Sequence, residues 1–404
     1  MTKKVLQINS VINAGSTGRI AEEIGIKAMD NGWDSYIAYG RNDRPSKSHK
    51  IKIGTELDIK WHGVETRLFD YHGRASRLAT KRFLKKIKEI NPDIIHLHNL
   101  HGYYLNIQLL FEYLAVSNIP IIWTLHDCWP FTGHCAYFDF VQCVKWKTQC
   151  KKCPQLSSYP RSLIDRSEQN FNFKKKLFLS CPNNLILIPV SEWLSNLLKD
   201  SFFKETKQII IHNGIDTNIF SPQRKDNSNY NKLKNKFVIL GMAGVWEKRK
   251  GLEDFFELST LLSEDEIILL VGLSESQIKQ LPKNIIGMTR TENVQQLAEL
   301  YSLADVFVNP TWEDNFPTTN LEALSCGTPI ITYDTGGSPE AVSHDTGFTV
   351  EKGNLKGIRN ALNSVKKLGK QYYSIACRNR AVSLFNKNSR YEEYLQLYNT
   401  LLKR

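Results

Sequence analysis

The sequence predicts an α/β protein of two domains, each a parallel sheet with helices on its faces. Three observations predict it. Short apolar runs that read as buried strands alternate with helix-length amphipathic stretches along nearly the whole chain. A polar tract at 223–236 breaks the alternation once, after which it restarts. The length, 404 residues, suits two domains of ordinary size.

A strand at 4–10 opens the first half. The turn Gly15-Ser16-Thr17-Gly18-Arg19 leads into a helix with Ile20, Ile24 and Met29 on its apolar side, ending near Gly32. Glycines there let backbone N–H groups approach a ligand at the sheet edge, although such a turn before a helix is more often structural. A second strand covers 34–39, and residues 44–71 show no clear period and are assigned no element. The helix at 75–90 carries Arg77, Lys81, Arg82, Lys85, Lys86 and Lys88, with Leu78, Phe83, Leu84 and Ile87 as its apolar side. Its cations are either a solvated face or a patch for an anionic membrane surface. Strands at 93–99 and 119–125 end in polar groups: His96, His98 and Asn99 on the first, His126 and Asp127 after the second. Polar side chains at the C-terminal ends of parallel strands stand where open sheets bind ligands, which makes these five site candidates.

From 128 to 160 the α/β rhythm lapses. This stretch holds Cys128, Cys135, Cys143, Cys150 and Cys153, with His134 beside Cys135. Cys135, Cys143, Cys150 and Cys153 are candidate ligands of a structural zinc that would pin a loop lacking a core of its own. The competing reading is free or buried thiols, because the first spacing is looser than in a zinc ribbon. No three ligands with an open fourth position stand out, so a catalytic zinc is not expected. A helix at 162–179, a strand at 185–191, a helix at 192–200 and a strand at 208–212 complete this half, which runs into Asn213-Gly214-Ile215-Asp216.

The second half reads strand 237–242, loop 243–251, helix 252–262, strands 267–271 and 285–288, helix 292–303 and strand 304–309. Lys248-Arg249-Lys250-Gly251 lies between a strand and a helix, where cations can neutralise a departing diphosphate without any proton transfer; alone it reads equally as a solvated basic turn. After 309 comes Thr311-Trp312-Glu313-Asp314-Asn315-Phe316-Pro317-Thr318-Thr319-Asn320-Leu321-Glu322. Thr319-x-x-Glu322 spells a capping box for a helix that stops at Gly327. If Glu322 only closes that box, its carboxylate is structural. If not, Asp314 and Glu322 offer acceptors for ribose and sugar hydroxyls beside backbone donors for a diphosphate. A strand at 329–333, then Gly336-Gly337, precede Ser338-Pro339-Glu340, which reads as the start of another helix. Residues 372–404 read as terminal helices.

Composition is that of a soluble globular chain, 41% hydrophobic and 23% charged. No apolar run reaches the length of a membrane span and no secretory leader precedes the first strand, so the expected location is the cytosol. There the eight cysteines are thiols or metal ligands rather than disulfides. The net charge of +12 implies acidic partners, which are nucleotide phosphates, an anionic membrane or nucleic acid. A basic nucleic-acid-binding protein leaves the two α/β halves and the carboxylate loop unexplained, and no nucleic-acid partner is expected.

Together these motifs resemble the retaining glycosyltransferases of family 4, which have the GT-B fold: two facing Rossmann-like domains with an interdomain cleft. The marks are Gly15-x-x-Gly18-Arg19, Thr124-Leu125-His126-Asp127, Ile211-x-Asn213-Gly214-Ile215-Asp216, Lys250-Gly251, and Asp314-x7-Glu322 followed by Ala323-x-x-Cys326-Gly327-Thr328-Pro329. The resemblance covers nearly the whole chain. Within the family it is similar to the bacterial polysaccharide (colanic-acid-type) branch, in which a Gly-His-Cys segment and a Cys-x-x-Cys follow the His-Asp.

The resemblance implies an acceptor-binding domain at 1–205 with a Cys-rich insertion at 128–160, a donor domain at 206–380, and a C-terminal helix at 381–404 returning to the first domain. Glu322 would hold the donor ribose, and Asp314 would stand near the transferred sugar. Backbone amides of Asn315, Phe316 and Thr318 would approach sugar and phosphates, and Lys250 would bind the diphosphate. His126 would contact the sugar from the first domain, with Arg290 near the base. Gly15, Gly18, Lys248, Arg249 and Glu313 complete the donor side; His96, His98, Asn99 and Asp127 are the acceptor side; His126, Asp314 and Lys250 are the catalytic group. The implied reaction moves a sugar from a UDP- or GDP-sugar onto a glycan, lipid-linked, with retention. It belongs to cell-surface polysaccharide biosynthesis at the inner face of the membrane and needs no cofactor for catalysis. Two positions depart from the family pattern. Asp314 replaces a glutamate, with Glu313 as an alternative working group. The arginine ahead of Lys-Gly is replaced around Val245-Trp246, with Lys248 or Arg249 as substitutes. The alternatives are a nucleotide-sugar or glycan binding protein without turnover, and an inverting enzyme with Asp127 as base.

Overall fold

The computed structural model describes residues 2–181, 184–223, 233 and 235–403. The polar tract expected to mark the boundary lies mostly outside the described residues. The chain forms two compact units, Met1–His212 with Arg390–Arg404, and Asn213–Ser389.

The first unit is built on six parallel strands: β1 (Lys3–Val11), β2 (Trp33–Arg41), β3 (His49–Lys52), β4 (Ile94–Leu97), β5 (Ile121–Leu125) and β6 (Leu185–Pro189), in the order β3-β2-β1-β4-β5-β6. Strands β4, β5 and β6 are buried along their length and β1 through its centre, as in a sheet covered on both faces. The covering helices are α1 (Gly15–Asp30), α2 (Glu56–Phe69), α3 (Arg77–Ile90), α4 (Ile107–Val116), α5 (Ser167–Phe178) and α6 (Glu192–Asp200). The unit runs to residue 212 rather than 205 because Ile209 N–H donates to Leu187 O (3.0 Å) and Ile211 N–H to Pro189 O (3.3 Å), tying this stretch to β6. From the C-terminal helix, Lys387–Leu401, Tyr391, Tyr394, Leu395 and Tyr398 pack into one core cluster with Val5, Ile20, Ile94 and Ile122.

Residues 44–71, read as having no element, contain β3 and α2. On α3, Phe83 and Ile87 are buried but Leu78 is 69% exposed, so it does not join the core face expected for it.

The second unit has β7 (Phe237–Met242), β8 (Glu266–Val271), β9 (Ile285–Met288), β10 (Val306–Asn309), β11 (Ile330–Tyr333) and β12 (Gly347–Val350), all parallel, in the order β12-β11-β10-β7-β8-β9. Its helices are α7 (Leu252–Ser259), α8 (Glu275–Ile278), α9 (Val294–Leu303), α10 (Thr318–Ser325), α11 (Leu355–Leu368) and α12 (Lys370–Leu384). Two local expectations fail. Helix α10 has Pro317 as its N-cap and no side-chain cap hydrogen bond, so Thr319 sits inside the helix and no capping box forms. Ser338–Ala341 is one 3-10 turn rather than a helix start. Among the described residues no helix is long and apolar enough to cross a membrane.

Candidate active site

In the second unit β7 is central: β8 and β9 continue to one side and β10 to β12 lie on the other, so strand order reverses between β7 and β10. Loops leaving the C-terminal ends of two such strands diverge, and the crevice between them is where open α/β sheets take ligands. The loop after β7 is the basic one, with a 3-10 turn Lys248–Lys250; the loop after β10 carries Asp314.

The two loops are joined by their backbones and by one ion pair. Trp312 N–H donates to Arg249 O at 2.8 Å, Arg249 Nη1 donates to Glu313 O at 3.1 Å, and Lys250 Nζ pairs with Asp314 Oδ2. The close approach requires glycine at two points. Gly251 has φ +74°, and a Cβ there would fall 2.2 Å from Pro310 O. Gly336, in the loop after β11, has φ +56°, and its Cβ would fall 1.6 Å from Asp314 O. Next to it Gly337 N–H donates to Asn315 O at 2.8 Å. Three loops therefore fix the backbone that presents Asp314.

The Lys250 and Asp314 side chains keep 21% and 17% of their surface exposed. Burial alone would raise the Asp314 pKa, but the charges of Lys250 and Arg249 outweigh it and hold the carboxyl below its ordinary range. Of the two neighbouring acids, Asp314 is the one that meets this cation, whereas the Glu313 residue is only 3% exposed. Arg249 pairs with Glu247 (3.2 Å) and donates to the Glu313 carbonyl, and Lys250 pairs with Asp314.

Glu322 lies one turn into α10, 3% exposed, and accepts a hydrogen bond from Tyr301 OH at 2.9 Å. Asn320 beside it is structural, accepting from Asn309 Nδ2 (2.8 Å) and donating to Ser338 Oγ (3.1 Å). Phe316 and Asn315 are buried, and neither side-chain polar atom of Asn315 has a hydrogen-bond partner in the protein. Thr318 is the first residue of α10. Lys248 is exposed in the basic turn, and exposed Arg290 follows β9, at the same sheet edge but two strands from β7.

In the first unit the order reverses between β1 and β4. Gly15 and Gly18 follow β1, in the first turns of α1. His98 and Asn99 follow β4, and His126 and Asp127 follow β5. His98 Nδ1 meets His126 Nε2 at 3.1 Å with the rings stacked 5.4 Å apart, and His98 Nε2 meets Gln7 Oε1 at 3.0 Å. His98 is thus a buried support for His126. Burial, partly opposed by Asp127, brings the His126 pKa down to about 4, so its ring is neutral at neutral pH. Asn99 stays half-buried, its backbone N–H donating to Asn9 Oδ1 at 3.3 Å. His96 does not reach a ligand. It is fully buried, with Nδ1 at 2.6 Å from Tyr398 OH and Nε2 at 2.7 Å from Thr124 Oγ1, and it anchors the C-terminal helix.

One group was missed. His101 Nε2 lies 2.6 Å from Asp127 Oδ2, and His101 Nδ1 lies 2.8 Å from Tyr159 OH. Asp127 also accepts from Trp129 N–H at 2.9 Å, so its carboxylate is held from both sides. An acid, an imidazole and a phenol in line can move a proton. The available signal was a third histidine three residues after His98 in the loop leaving β4.

Residues 18–219 match the family model described as Glycosyltransferase Family 4, and residues 235–367 match the one described as Glycosyl transferases group 1. The chain is 26% identical over 373 residues to a provisionally named colanic acid biosynthesis glycosyl transferase, WcaC, of Escherichia coli K12, covering 86% of this chain and 87% of that one. It is 25% identical over 227 residues to an N,N'-diacetylbacillosaminyl-diphospho-undecaprenol alpha-1,3-N-acetylgalactosaminyltransferase of Campylobacter jejuni, 53% of this chain and 60% of that one. Among solved structures, a sucrose-phosphate synthase of Thermosynechococcus elongatus superposes with TM-score 0.74 at 18% identity, over 99% of both chains. Anabaena HepE in complex with UDP superposes with TM-score 0.68 at 14% identity, over 99% of this chain and 100% of that one. These likenesses establish the GT-B class of fold.

Proposed function

The chain belongs to glycosyltransferase family 4, and on that premise we propose that it moves a sugar from a UDP- or GDP-sugar onto a lipid-linked glycan, retaining the anomeric configuration, in the assembly of a surface polysaccharide. The observation that carries this reading is the Lys250–Asp314 pair at the strand-order reversal of the second unit. As the bond from the anomeric carbon to the diphosphate breaks, negative charge builds on the leaving oxygen. A preplaced ammonium stabilises that charge with no proton to transfer. Asp314 holds Lys250 in place and offers a carboxylate to the sugar hydroxyls. Glu322, oriented by Tyr301, takes the ribose hydroxyls. The acceptor hydroxyl loses its proton to the departing phosphate as its oxygen bonds to the same face of the sugar. No side-chain nucleophile is needed.

A lipid-linked acceptor is supported by the Campylobacter relative's printed substrate and by the surface of the first unit. Helix α2 turns Leu57 (76% exposed), Trp61 (63%) and Val64 (44%) outward, and α3 exposes Arg77, Lys81, Arg82, Lys85, Lys86 and Lys88. An apolar stripe near a cationic helix suits the headgroup region of an anionic bilayer.

The test is a donor screen with product stereochemistry. UDP-, GDP-, ADP- and CMP-sugars are compared by thermal shift and by transfer to a lipid-diphosphate acceptor, and the new linkage is read by NMR. One nucleotide series should stabilise the protein and yield retained configuration. An inverted product would move the chemistry to Asp127 as base, and binding without turnover would sink the transferase reading.

A further inference from the structure

Between β5 and α5, residues 126–166 contain no strand and only two short 3-10 turns, Trp129–Phe131 and Lys145–Lys147. A connection of this length inside an α/β domain must be fixed by something other than backbone pairing. Aromatic packing does part of it: Phe138 stacks on Trp146 with centroids 4.9 Å apart, and Phe131 meets Trp146 edge-on at 5.3 Å. Under these rings lies a cavity of about 20 Å³, walled by Cys135, Cys143, Cys150, Cys153 and His134. That is room for one water-sized body.

The wall's polar groups do not balance one another. Gly133 N–H donates to Cys150 Sγ at 3.2 Å, and the Cys135 and Cys153 thiols share a hydrogen bond. Trp146 Nε1, also in the wall, is buried with no partner, as is His134 Nε2. The other ring nitrogen of His134 is fixed by Asp70 Oδ1 at 2.6 Å, both side chains being wholly buried. Behind them the buried Lys174 Nζ donates to Trp129 O at 2.8 Å and to Thr132 O at 3.1 Å. N–H donors thus face four weakly accepting thiols. Thiolates would satisfy them, and a divalent cation would hold the thiolates together.

We propose that this cavity is a structural metal site in which Cys135, Cys143, Cys150 and Cys153 bind one Zn²⁺ tetrahedrally as thiolates. Four S–H bonds give way to four Zn–S bonds, four protons leave, and the −2 cluster is offset by Lys174 and by the Gly133 and Trp146 N–H groups. Among the described residues no three His, Cys, Asp or Glu side chains already stand as a ligand set. The four cysteines line the cavity, and a cysteine sulfur changes position by rotation about χ1. A four-thiolate set has no open position, so the ion staples the loop and takes no part in sugar transfer. His134, oriented by Asp70, donates to the cluster from outside the ligand set.

The experiment uses the full chain, expressed with added zinc and purified without chelator. Mass-spectrometric metal analysis should find one zinc per chain. The cobalt-exchanged protein should show thiolate-to-cobalt charge transfer at the strength of four sulfurs, with tetrahedral d–d bands. Cys153→Ser should lose the bound ion, while Cys181→Ser, outside the cavity wall, should keep it. Because a cysteine variant can fail to fold, the chelated wild type is also titrated with Zn²⁺ while proton release is followed. No zinc as purified and none taken up on titration overturns the site. A three-sulfur cobalt spectrum that changes in His134→Gln overturns the ligand set.

Discussion

Lys250 and Asp314 share one ion pair, so a substitution at either leaves the other without its partner. Lys250→Gln removes the cation proposed to face the diphosphate. It should weaken UDP or GDP binding by about 1.5–3 kcal/mol, the worth of a charge-assisted hydrogen bond, and leave binding of the bare nucleoside unchanged. Calorimetric titration of the variant with both ligands checks this, and equal losses would show that Lys250 only shapes the loop. Gly336→Ala tests the backbone. Its Cβ would meet Asp314 O at 1.6 Å with φ at +56°, so the loop must move. A destabilisation of about 2 kcal/mol or more, with loss of donor binding, is the expected result by thermal denaturation. At this scale the sequence was legible where chemistry is local. The basic turn and Asp314 were readable as a pair because each follows a strand. Glu322 spelled a capping box, yet with Pro317 as N-cap the helix starts two residues earlier and Tyr301 takes the carboxylate. His96 was misplaced because its partner Tyr398 is 302 residues away in the chain. The His101–Asp127 contact spans 26 residues between two loops, a distance that spacing rules do not bridge.

Helix α2 shows why one element escaped a reading based on hydrophobic period. Its buried positions are His62 and Thr66, while Leu57, Trp61, Val64, Leu68 and Phe69 are exposed. The usual correspondence of apolar with inward is inverted, so the period marked no core face. The strands of both sheets, buried on two sides, were legible for the opposite reason. The inversion also makes a prediction about the element. If the stripe on α2 and the cations on α3 form one membrane-contact surface, the protein should sediment with vesicles containing anionic lipid and not with neutral ones. Each cation near the surface contributes about 1 kcal/mol, so replacing Lys81, Lys85 and Lys86 with Gln should lower vesicle affinity by roughly a hundredfold. Trp61→Ser should lower it further, with the melting temperature unchanged because the ring is 63% exposed. Binding that ignores lipid charge and Trp61 would leave the stripe unexplained.

At the scale of the whole molecule the two units differ in how they meet acid. Nine of the ten histidines lie in the first unit, and His344 is the tenth. Burial pushes His62 and His96 down from 6.5 to about 3 and His126 to about 4, and it holds His72 and His98 well below their ordinary value. A histidine with a lowered pKa stays neutral in the folded chain, while the unfolded chain takes up its proton below about pH 6.5. Stability is therefore full above that pH and falls as pH drops toward the folded values. One unit below 6.5, each such histidine costs about 1.4 kcal/mol, so several together cost a large part of an ordinary domain's stability. The second unit titrates through carboxylates. Asp314 is held low by Lys250 and Arg249 against its burial, and Glu266 by Arg359 at 2.6 Å and Lys366 at 3.1 Å against its own. That stability is present above the ordinary carboxylate range and is lost only as pH falls through and below it, near pH 4. Between pH 6.5 and 5, hydrogen exchange followed by mass spectrometry should show β1, β4 and β5 losing protection while β7, β8 and β10 keep theirs. His96→Gln, which keeps a polar group between Thr124 and Tyr398 but cannot titrate, should flatten the acid slope of the first unit by about one proton. Loss of protection in both sheets at one pH would mean that the histidines do not set the acid limit.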